Sequence, residues 1–224
     1  MRITKLGHCC LIIEESGVRI MTDPGAYSTL QNEAKGIDYI FITHEHQDHI
    51  HIESLKIVLK NNPKAKIVTN RGVGKLLDAE KIPYQMLEHG GEGDFGLPAA
   101  SAGTAQAGGV HVEGHGEKHA VIYQEYGQVQ NTGYFFANRF FYPGDAFFNP
   151  SKPVEILALP VSGPWMKMSE AIDYAKALKP KVCFPVHDGF LKFGGPFHSV
   201  PRALLPPAGI AFEILADGET KEFV

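Results

Sequence analysis

The stretch Thr43-His44-Glu45-His46-Gln47-Asp48-His49 places three imidazoles close to an aspartate carboxylate. It follows an apolar run over 37–43 that is rich in β-branched and aromatic residues, which predicts a buried strand ending at His44. Polar side chains clustered at the end of a buried strand lose solvation, and coordination to a cation commonly compensates for that loss. The sequence therefore predicts that a metal site begins where this strand ends.

The spacing within this stretch suits more than one ion. Alternate residues of an extended segment face the same side, so His44 and His46 can bind one ion while Asp48 and His49 turn toward a second. Further ligands must come from distant parts of the chain, where polar residues recur beside three later apolar runs. These candidates are His119, Asp145 in Pro143-Gly144-Asp145, and His187 in Pro185-Val186-His187-Asp188.

The histidine that completes the first group must be chosen among three. His111 lies between two valines of a predicted strand and should point outward. His115 lies between two glycines, whereas His119 is closer to Asp145 and leads directly into a predicted strand. We favour His119 and keep His115 as the alternative.

The order of these residues resembles the metallo-β-lactamase superfamily, in which a His-x-His-x-Asp-His motif precedes a histidine, a bridging aspartate and a final histidine. The resemblance covers essentially the whole chain. It implies an α/β protein with the four-layered αββα metallo-β-lactamase fold, as a single domain over 1–224. The implied ligands are His44, His46 and His119 for a first metal ion, Asp48, His49 and His187 for a second, and Asp145 as the bridge.

The resemblance also implies a metal-dependent hydrolase. Two divalent ions, with zinc favoured and manganese or iron as alternatives, would activate a water molecule that attacks a small ester, lactone or phosphoester. Asp48 and His49 are the catalytic candidates, and Asp48 can accept a proton or orient the water. Asp23, in Thr22-Asp23-Pro24-Gly25, is similar to the strand-end aspartate that supports the metal site of the superfamily from behind its ligands. The start, Leu6-Gly7-His8-Cys9-Cys10-Leu11, resembles the branch that includes the L-ascorbate-6-phosphate lactonases.

Three side chains are candidates for the substrate pocket. His8 could line its mouth or be a hydrogen-bonded structural residue, and Trp165 could contact the substrate or only pack. Lys167 could neutralise a phosphate or a carboxylate, so the expected partner is a small molecule that can be anionic. The segment from Phe190 to His198 is interpreted as a lid near His187 or as a hydrophobic cluster under a loop.

Composition and charge limit the classes of protein. The chain has 224 residues, 44% of them hydrophobic and 21% charged, as in ordinary globular proteins. A formal net charge of −4 offers no basic field for a phosphate backbone, so a nucleic-acid partner is not expected. No apolar run is long enough for a membrane span. The lack of a signal-peptide pattern and the presence of only three cysteines predict a cytoplasmic protein with reduced thiols.

Two other activities remain open for the same metal core. One is a nuclease or phosphodiesterase acting on nucleic acid, against which the net negative charge argues. The other is an iron-dependent oxidoreductase, because histidine and carboxylate ligands suit iron as well as zinc. The sequence leaves open the substrate, the native metal and the oligomeric state, a homo-oligomer included.

Hydrophobic periodicity and turn residues predict the remaining elements. Strands are expected at 2–6, 9–14, 18–22, 37–43, 67–69, 84–87, 110–112, 120–123, 133–137, 139–142, 156–161 and 182–186, with a last pair near 211–214 and 221–224. Helices are expected at 50–60, 73–79 and 169–178, the last with Ser169 as its N-cap. The glycine- and alanine-rich stretch 88–107 should contain loops and short strands.

Overall fold

The computed structural model describes residues 1–96 and 108–224, which form two seven-stranded sheets. The first sheet contains β1 (Arg2–Gly7), β2 (Cys10–Glu15), β3 (Val18–Thr22), β4 (Tyr39–Ile42), β5 (Lys66–Thr69), β6 (Tyr84–Met86) and β14 (Thr220–Glu222). Its order is β14-β1-β2-β3-β4-β5-β6. The second contains β7 (Glu92–Gly96), β8 (Gly109–His115), β9 (Gly133–Phe136), β10 (Phe140–Tyr142), β11 (Ile156–Pro160), β12 (Val182–Val186) and β13 (Ala211–Phe212). Its order is β13-β12-β11-β10-β9-β8-β7.

Helices cover the outer face of each sheet. The four α-helices of the described residues are α1 (Ile52–Asn61), α2 (Arg71–Ala79), α3 (Met168–Leu178) and α4 (Gly195–Leu204). Leu55 of α1 packs with Ile40 of the first sheet, and Ala175 of α3 packs in a separate cluster with Leu157 of the second. The inner faces of both sheets share a third cluster, rich in phenylalanine. The αββα sandwich predicted from the sequence is confirmed.

Strand direction places the end of the motif strand beside the ends of other strands. β3 and β4 run parallel, as do β10, β11 and β12. The carboxyl ends of parallel strands meet at the same edge of a sheet, which is where ligands bind in such sheets. Asp23, His44, Asp145 and His187 therefore all follow strand ends at one edge of the sandwich.

The strands predicted at 133–137 and 139–142 pair as a hairpin of β9 and β10, and its turn explains the sharp reversal. Ala137 and Asn138 both have a positive φ, of 52° and 53°, and left-handed residues are what a tight hairpin turn requires. Phe136 then pairs with Phe140 across the ladder. This pairing sets the position of the loop that carries Asp145.

Several predicted elements were wrong. Residues 120–123 form no strand, because Val121 and Tyr123 are exposed and the segment crosses the open edge of the sandwich as a loop. Lys167, and not Ser169, caps α3, and the Glu170 carboxylate accepts a hydrogen bond from the Lys167 backbone N–H at 2.6 Å. The last two strands do not pair with each other, since β13 joins β12 and β14 joins β1.

Two further differences concern glycine-rich segments. The sequence pattern did not predict α4, because Gly194, Gly195 and Pro196 precede its apolar residues and are typical of a loop. The stretch 88–107 contains the short strand β7, and the loop expected over 97–107 lies outside the described residues. Among the helices described, none has the length and apolar character needed to cross a bilayer.

Replacement of Phe140 by alanine tests the shared core. Its fully buried ring stacks between Phe136 and Phe184, with both pairs of ring centroids 5.9 Å apart. The resulting cavity should lower the free energy of unfolding by about 3–5 kcal/mol, measured by urea denaturation. Phe193→Ala is the matched control, since that ring is 72% exposed and its loss should change stability by less than about 0.5 kcal/mol. Equal losses in the two variants would contradict the assignment of the core.

Candidate metal centre

The loop after β4 is fixed by the buried carboxylate of Asp23. That carboxylate accepts hydrogen bonds from the Thr43 backbone N–H and hydroxyl, both at 2.8 Å. It also accepts from His49 Nδ1 and from the Tyr142 hydroxyl, both at 2.7 Å. Because His49 donates through Nδ1, its Nε2 is the nitrogen left to face the site. The structure thus places Asp23 behind the candidate ligands, as the sequence predicts.

The turn that carries Asp23 packs directly on the motif. A Cβ added to Gly25 would lie 2.0 Å from the carbonyl oxygen of Asp48, so the two backbones meet at a distance that only glycine allows. The Ala26 backbone N–H also donates to the carbonyl of Gln47 at 2.7 Å. Asp23 itself has a φ of +38°, which is an unfavourable conformation for a residue with a side chain. The surrounding contacts therefore hold this turn in a strained geometry.

His44, His46 and His119 form the first group of side chains. Their ligand atoms all lie within 4.8 Å of one another. The Thr43 hydroxyl donates to Asp23 and therefore accepts from His44 Nδ1, 3.0 Å away. His119 Nδ1 donates to the carbonyl of Ala120 at 2.5 Å. These bonds leave Nε2 of both His44 and His119 free to bind an ion.

Asp48, His49, Asp145 and His187 form the second group, again with ligand atoms within 4.8 Å of one another. Asp145 Oδ1 lies 3.1 Å from His49 Nε2, and Asp145 Oδ2 lies 2.9 Å from His187 Nε2. Oδ2 also lies 3.3 Å from His119 Nε2 of the first group. Asp145 is therefore the side chain that contacts both groups.

Asn131 positions Asp145, and the sequence pattern gave no sign of it. Its fully buried amide accepts a hydrogen bond from the Asp145 backbone N–H at 3.0 Å and donates to the carbonyl of Pro143 at 2.9 Å. Asn131 lies between β8 and β9, outside any recognisable motif. Only the packing of the chain brings it to Asp145.

The two groups differ in their electrostatics. Burial lowers the pKa of His44 well below its ordinary value, so this imidazole is neutral and can offer a lone pair. Burial would also lower the pKa of His187, but the negative charge of Asp145 raises it well above the ordinary value. Burial would raise the pKa of Asp145, whereas His49 and His187 hold it well below its usual range. In the absence of an ion, the carboxylates therefore draw protons onto the imidazoles.

Several polar atoms at the centre of the site are buried and make no hydrogen bond within the described part of the chain. These are His49 Nε2, His119 Nε2, Asp145 Oδ1 and both ring nitrogens of His187. Buried polar atoms in native proteins are normally paired, so such a concentration calls for an explanation. Imidazole nitrogens and carboxylate oxygens that converge in this way fit divalent cations such as zinc, manganese or iron.

A cavity of about 660 Å³ opens over the two groups. The side chains that line it are Tyr27, Glu45, His46, Gln47, Asp48, His119, Ile122, Tyr126, Asp145, Pro164, Trp165, His187 and Phe190. The apolar members come from four separate loops, and no local pattern in the sequence could have grouped them. Phe190 belongs to the segment that the sequence suggested as a lid.

The three predicted pocket residues have different positions. Trp165 lines the cavity, and its Nε1 donates to Asp145 Oδ2 at 2.8 Å, so it contacts the shared carboxylate as well. His8 is completely buried beneath Asp48 and does not line the cavity, so of its two interpretations the structure favours the hydrogen-bonded structural residue. Lys167 is exposed at the start of α3 and is not among the residues that line the cavity.

His8 has a defined hydrogen-bonding role. The Gly189 backbone N–H lies 3.1 Å from His8 Nδ1, which accepts from it, so His8 Nε2 carries the proton that faces Asp48 Oδ2 at 3.3 Å. A Cβ on Gly189 would lie 2.7 Å from the His8 Cβ, so glycine is needed for this approach. His8 therefore orients Asp48 from below.

The other histidines lie outside both groups. His115 is placed by its own neighbour, with Nε2 3.1 Å from Glu113 Oε2, and the structure brings His119 to His44 and His46 instead. His198 donates to Asp188 at 2.8 Å. Asp188 also accepts from the buried Lys5 at 2.6 Å, which anchors the loop after His187 to β1. His198 thus supports this loop from a distance.

Comparison with known proteins relates the chain to one family. A family model described as a β-lactamase superfamily domain matches residues 2–187, which include every candidate ligand. Protein Rv0786c of Mycobacterium tuberculosis is 34% identical over 196 residues, with 85% of each chain covered. A UPF0173 metal-dependent hydrolase of Carboxydothermus hydrogenoformans is 25% identical, with 98% of each chain covered. Igni18, a metallo hydrolase of Ignicoccus hospitalis, has a similar fold, with a TM-score of 0.70, 22% identity and coverage of 100% of this chain and 99% of that one.

Gly25→Ala tests the contact between the strained turn and the motif loop. The added methyl group would collide with the Asp48 backbone. The free energy of unfolding, measured by urea denaturation, should therefore fall by at least about 3 kcal/mol. Gly36→Ala is the control, because Gly36 has a φ of +72° but open space around its Cα. That variant should lose only about 1–2 kcal/mol, the cost of a left-handed alanine. Similar losses in both would show that the close approach at Gly25 does not matter.

Proposed function

The chain belongs to the metallo-β-lactamase superfamily and is a metal-dependent hydrolase, and from this premise we propose a binuclear centre acting on a small ester, lactone or phosphoester. The observation that carries the proposal is the position of Asp145, whose carboxylate contacts His119 of the first group and His49 and His187 of the second. A carboxylate shared in this way suits a bridge between two cations.

The proposed ligands follow the two groups. His44, His46 and His119 bind the first ion, Asp48, His49 and His187 bind the second, and Asp145 bridges them. The unpaired Nε2 atoms of His49, His119 and His187 support this assignment, because each would have a partner in a bound cation. Zinc is the favoured ion for this donor set, with manganese or iron as alternatives.

When bound, two such ions supply Lewis-acid stabilisation of the scissile group and lower the pKa of a water molecule. The residues of the chain hold the groups in place. Trp165 donates to Asp145 Oδ2, and His8 donates to Asp48 Oδ2, so both carboxylates keep fixed orientations. His49 is completely buried and away from the cavity wall, so it acts as a ligand and does not touch the substrate.

Asp48 is the carboxylate that faces both the cavity and the proposed second ion. Burial would raise its pKa, but the neighbouring His187 and His8 lower it below the usual range. A carboxylate with so low a pKa is a weak general base. Asp48 therefore acts as an acceptor that orients the attacking water.

Asp145→Asn tests the bridge. The wild-type protein, purified and loaded with zinc, should contain about two ions per chain by elemental analysis. The variant should lose at least one of them, and metal-dependent hydrolysis should fall by at least about 100-fold, because even residues outside the ligand shell can cost that much. His89→Gln is the control, since His89 is exposed and belongs to neither group. Unchanged metal content and unchanged hydrolysis in Asp145→Asn would refute the bridge.

Metal binding should also release protons. Burial alone would lower the pKa values of His49 and His187. Both pKa values are nevertheless raised well above the ordinary value. The charge of Cys9, then of Asp145, is the main cause at His49, and the charge of Asp145 is the main cause at His187. The raised pKa values favour an extra proton on both rings in the metal-free protein, and ligation would displace it. Calorimetric titration with zinc in buffers of different ionisation enthalpy should show this release, and the control His89→Gln should show the same release. Zinc binding without proton release would mean that His49 and His187 are not the ligands.

A further inference from the structure

The wall of the cavity has a charge pattern that bears on the substrate. Among the described residues that line it, none is lysine or arginine, whereas Glu45, Asp48 and Asp145 are acidic. Proteins that recognise phosphate or carboxylate groups normally present arginine, lysine or a helix N-terminus to them. Among the described residues of this wall there is therefore no lysine or arginine that could add its attraction for an anion to that of the proposed metal ions.

The nearby helix start does not replace them. Pro164 and Trp165 of the wall lead into α3, but the first turn of α3 is capped by its own Glu170 carboxylate. Lys167, the basic residue at this position, is exposed and is not among the residues that line the cavity. A negative charge already occupies the site at which a helix would bind an anion.

Local charge balance leads to the same conclusion. Two divalent cations would be offset by the carboxylates of Asp23, Glu45, Asp48 and Asp145, all at or directly behind the cavity. Glu45 is not among the proposed ligands, and its side chain lies over the start of α2, where a Cβ on Gly72 would be 3.0 Å from Oε2. Its charge faces the cavity without a basic partner in the wall. An anionic substrate would add uncompensated negative charge.

The rest of the wall is apolar and aromatic. The rings of Tyr27 and Phe190 meet edge to face at 6.2 Å, and the two residues remain 43% and 47% exposed. Ile122 and Tyr126 lie in the loop 119–131, and Tyr126 is 71% exposed. A ligand that covers exposed apolar surface around a polar centre is bound more tightly, because removing that surface from water is favourable. These rings thus form a place for an apolar group beside the candidate metals.

We infer that the substrate is an uncharged carboxylic ester or lactone whose apolar or aromatic group lies against Tyr27, Phe190, Ile122 and Tyr126. This inference rests on the proposed hydrolase function and narrows it by excluding phosphoesters. In the reaction, the oxygen of water bonds to the carbonyl carbon and the carbon–oxygen bond to the alcohol breaks. One water proton passes to the leaving alcohol, and the other product is the carboxylic acid, released as carboxylate and a proton.

Matched probes test the inference on the zinc-loaded protein. Hydrolysis of p-nitrophenyl butyrate, which is neutral, should exceed that of bis-p-nitrophenyl phosphate, which is anionic, by at least about 100-fold in kcat/KM after correction for uncatalysed rates. Glu45→Gln should shift the ratio toward the phosphodiester, because it removes a negative charge from the wall. A preference for the phosphodiester would overturn the inference and leave the proposed hydrolase intact. If the zinc-loaded protein hydrolyses neither probe, both the inference and the proposed hydrolase function are wrong.

Variants of the wall separate substrate contact from a general effect on folding. Phe190→Ala should lower kcat/KM for p-nitrophenyl butyrate about tenfold, mainly through KM, and should change the acetate ester less. Tyr126→Ala, at a side chain too exposed to be needed for folding, should act in the same direction. Phe193→Ala is the matched control, because Phe193 is exposed and absent from the wall. Equal effects on butyrate and acetate would overturn the assignment of the apolar wall.

A binding measurement gives a readout that does not depend on turnover. Trp165 is the single tryptophan of the chain and lines the cavity, so its fluorescence should respond to ligands there. Benzylacetone, a neutral ketone that cannot be hydrolysed, should change this fluorescence in a saturable way. Its Kd should rise about tenfold in Phe190→Ala and stay unchanged in Phe193→Ala. The same Kd in both variants would overturn the inference.

Discussion

The carboxylate of Asp23 joins the two sheets at the edge where the site lies. Asp23 follows β3 of the first sheet, and its carboxylate accepts hydrogen bonds from Thr43 and His49 of the motif loop and from Tyr142 of the second sheet. A buried carboxylate costs free energy unless such donors satisfy it. The motif loop, the orientation of His49 and the distance between the sheets therefore all depend on one side chain.

The site gains its chemical character from this arrangement. His49 is turned so that its Nε2 faces Asp145, and Asp145 is held from the other side by Asn131 and Trp165. Two carboxylates, Asp48 and Asp145, then lie among five imidazoles in a buried space. Protons on the imidazoles offset the carboxylate charges when no ion is bound, and bound cations would displace those protons. Stability and metal affinity are thus coupled through the same contacts.

The motif stretch was predictable because its residues are neighbours in sequence at the end of an apolar strand. The parallel order of β3, β4, β10 and β12 also follows from strand pattern, and it brings the distant Asp145 and His187 to the same edge. Other residues depend on tertiary packing. Asn131 and Tyr27 lie in loops without periodicity, and the segment 120–123 looks like a strand although its apolar side chains face the cavity and solvent.

The positions of His8 and Lys167 could not be read from the sequence. A sequence places a residue near a motif, but the position of its side chain depends on local contacts that the sequence does not show. His8 is buried and its Nδ1 accepts a hydrogen bond from the Gly189 backbone N–H, whereas Lys167 is exposed at the start of α3. The described residues of the cavity wall include acidic side chains but no lysine or arginine, and the number of lysines in the chain could not have predicted this.

The most direct test of a binuclear centre is a crystal structure of the zinc-loaded protein with data collected on both sides of the zinc absorption edge. The account predicts two anomalous peaks about 3.5–4 Å apart, one among His44, His46 and His119 and one beside His187, with Asp145 between them. Glu92, His111 and Glu113 form another group of candidate ligand atoms on β7 and β8, and serve as an internal comparison. A single peak in the site, or peaks only at that other group, would contradict the account.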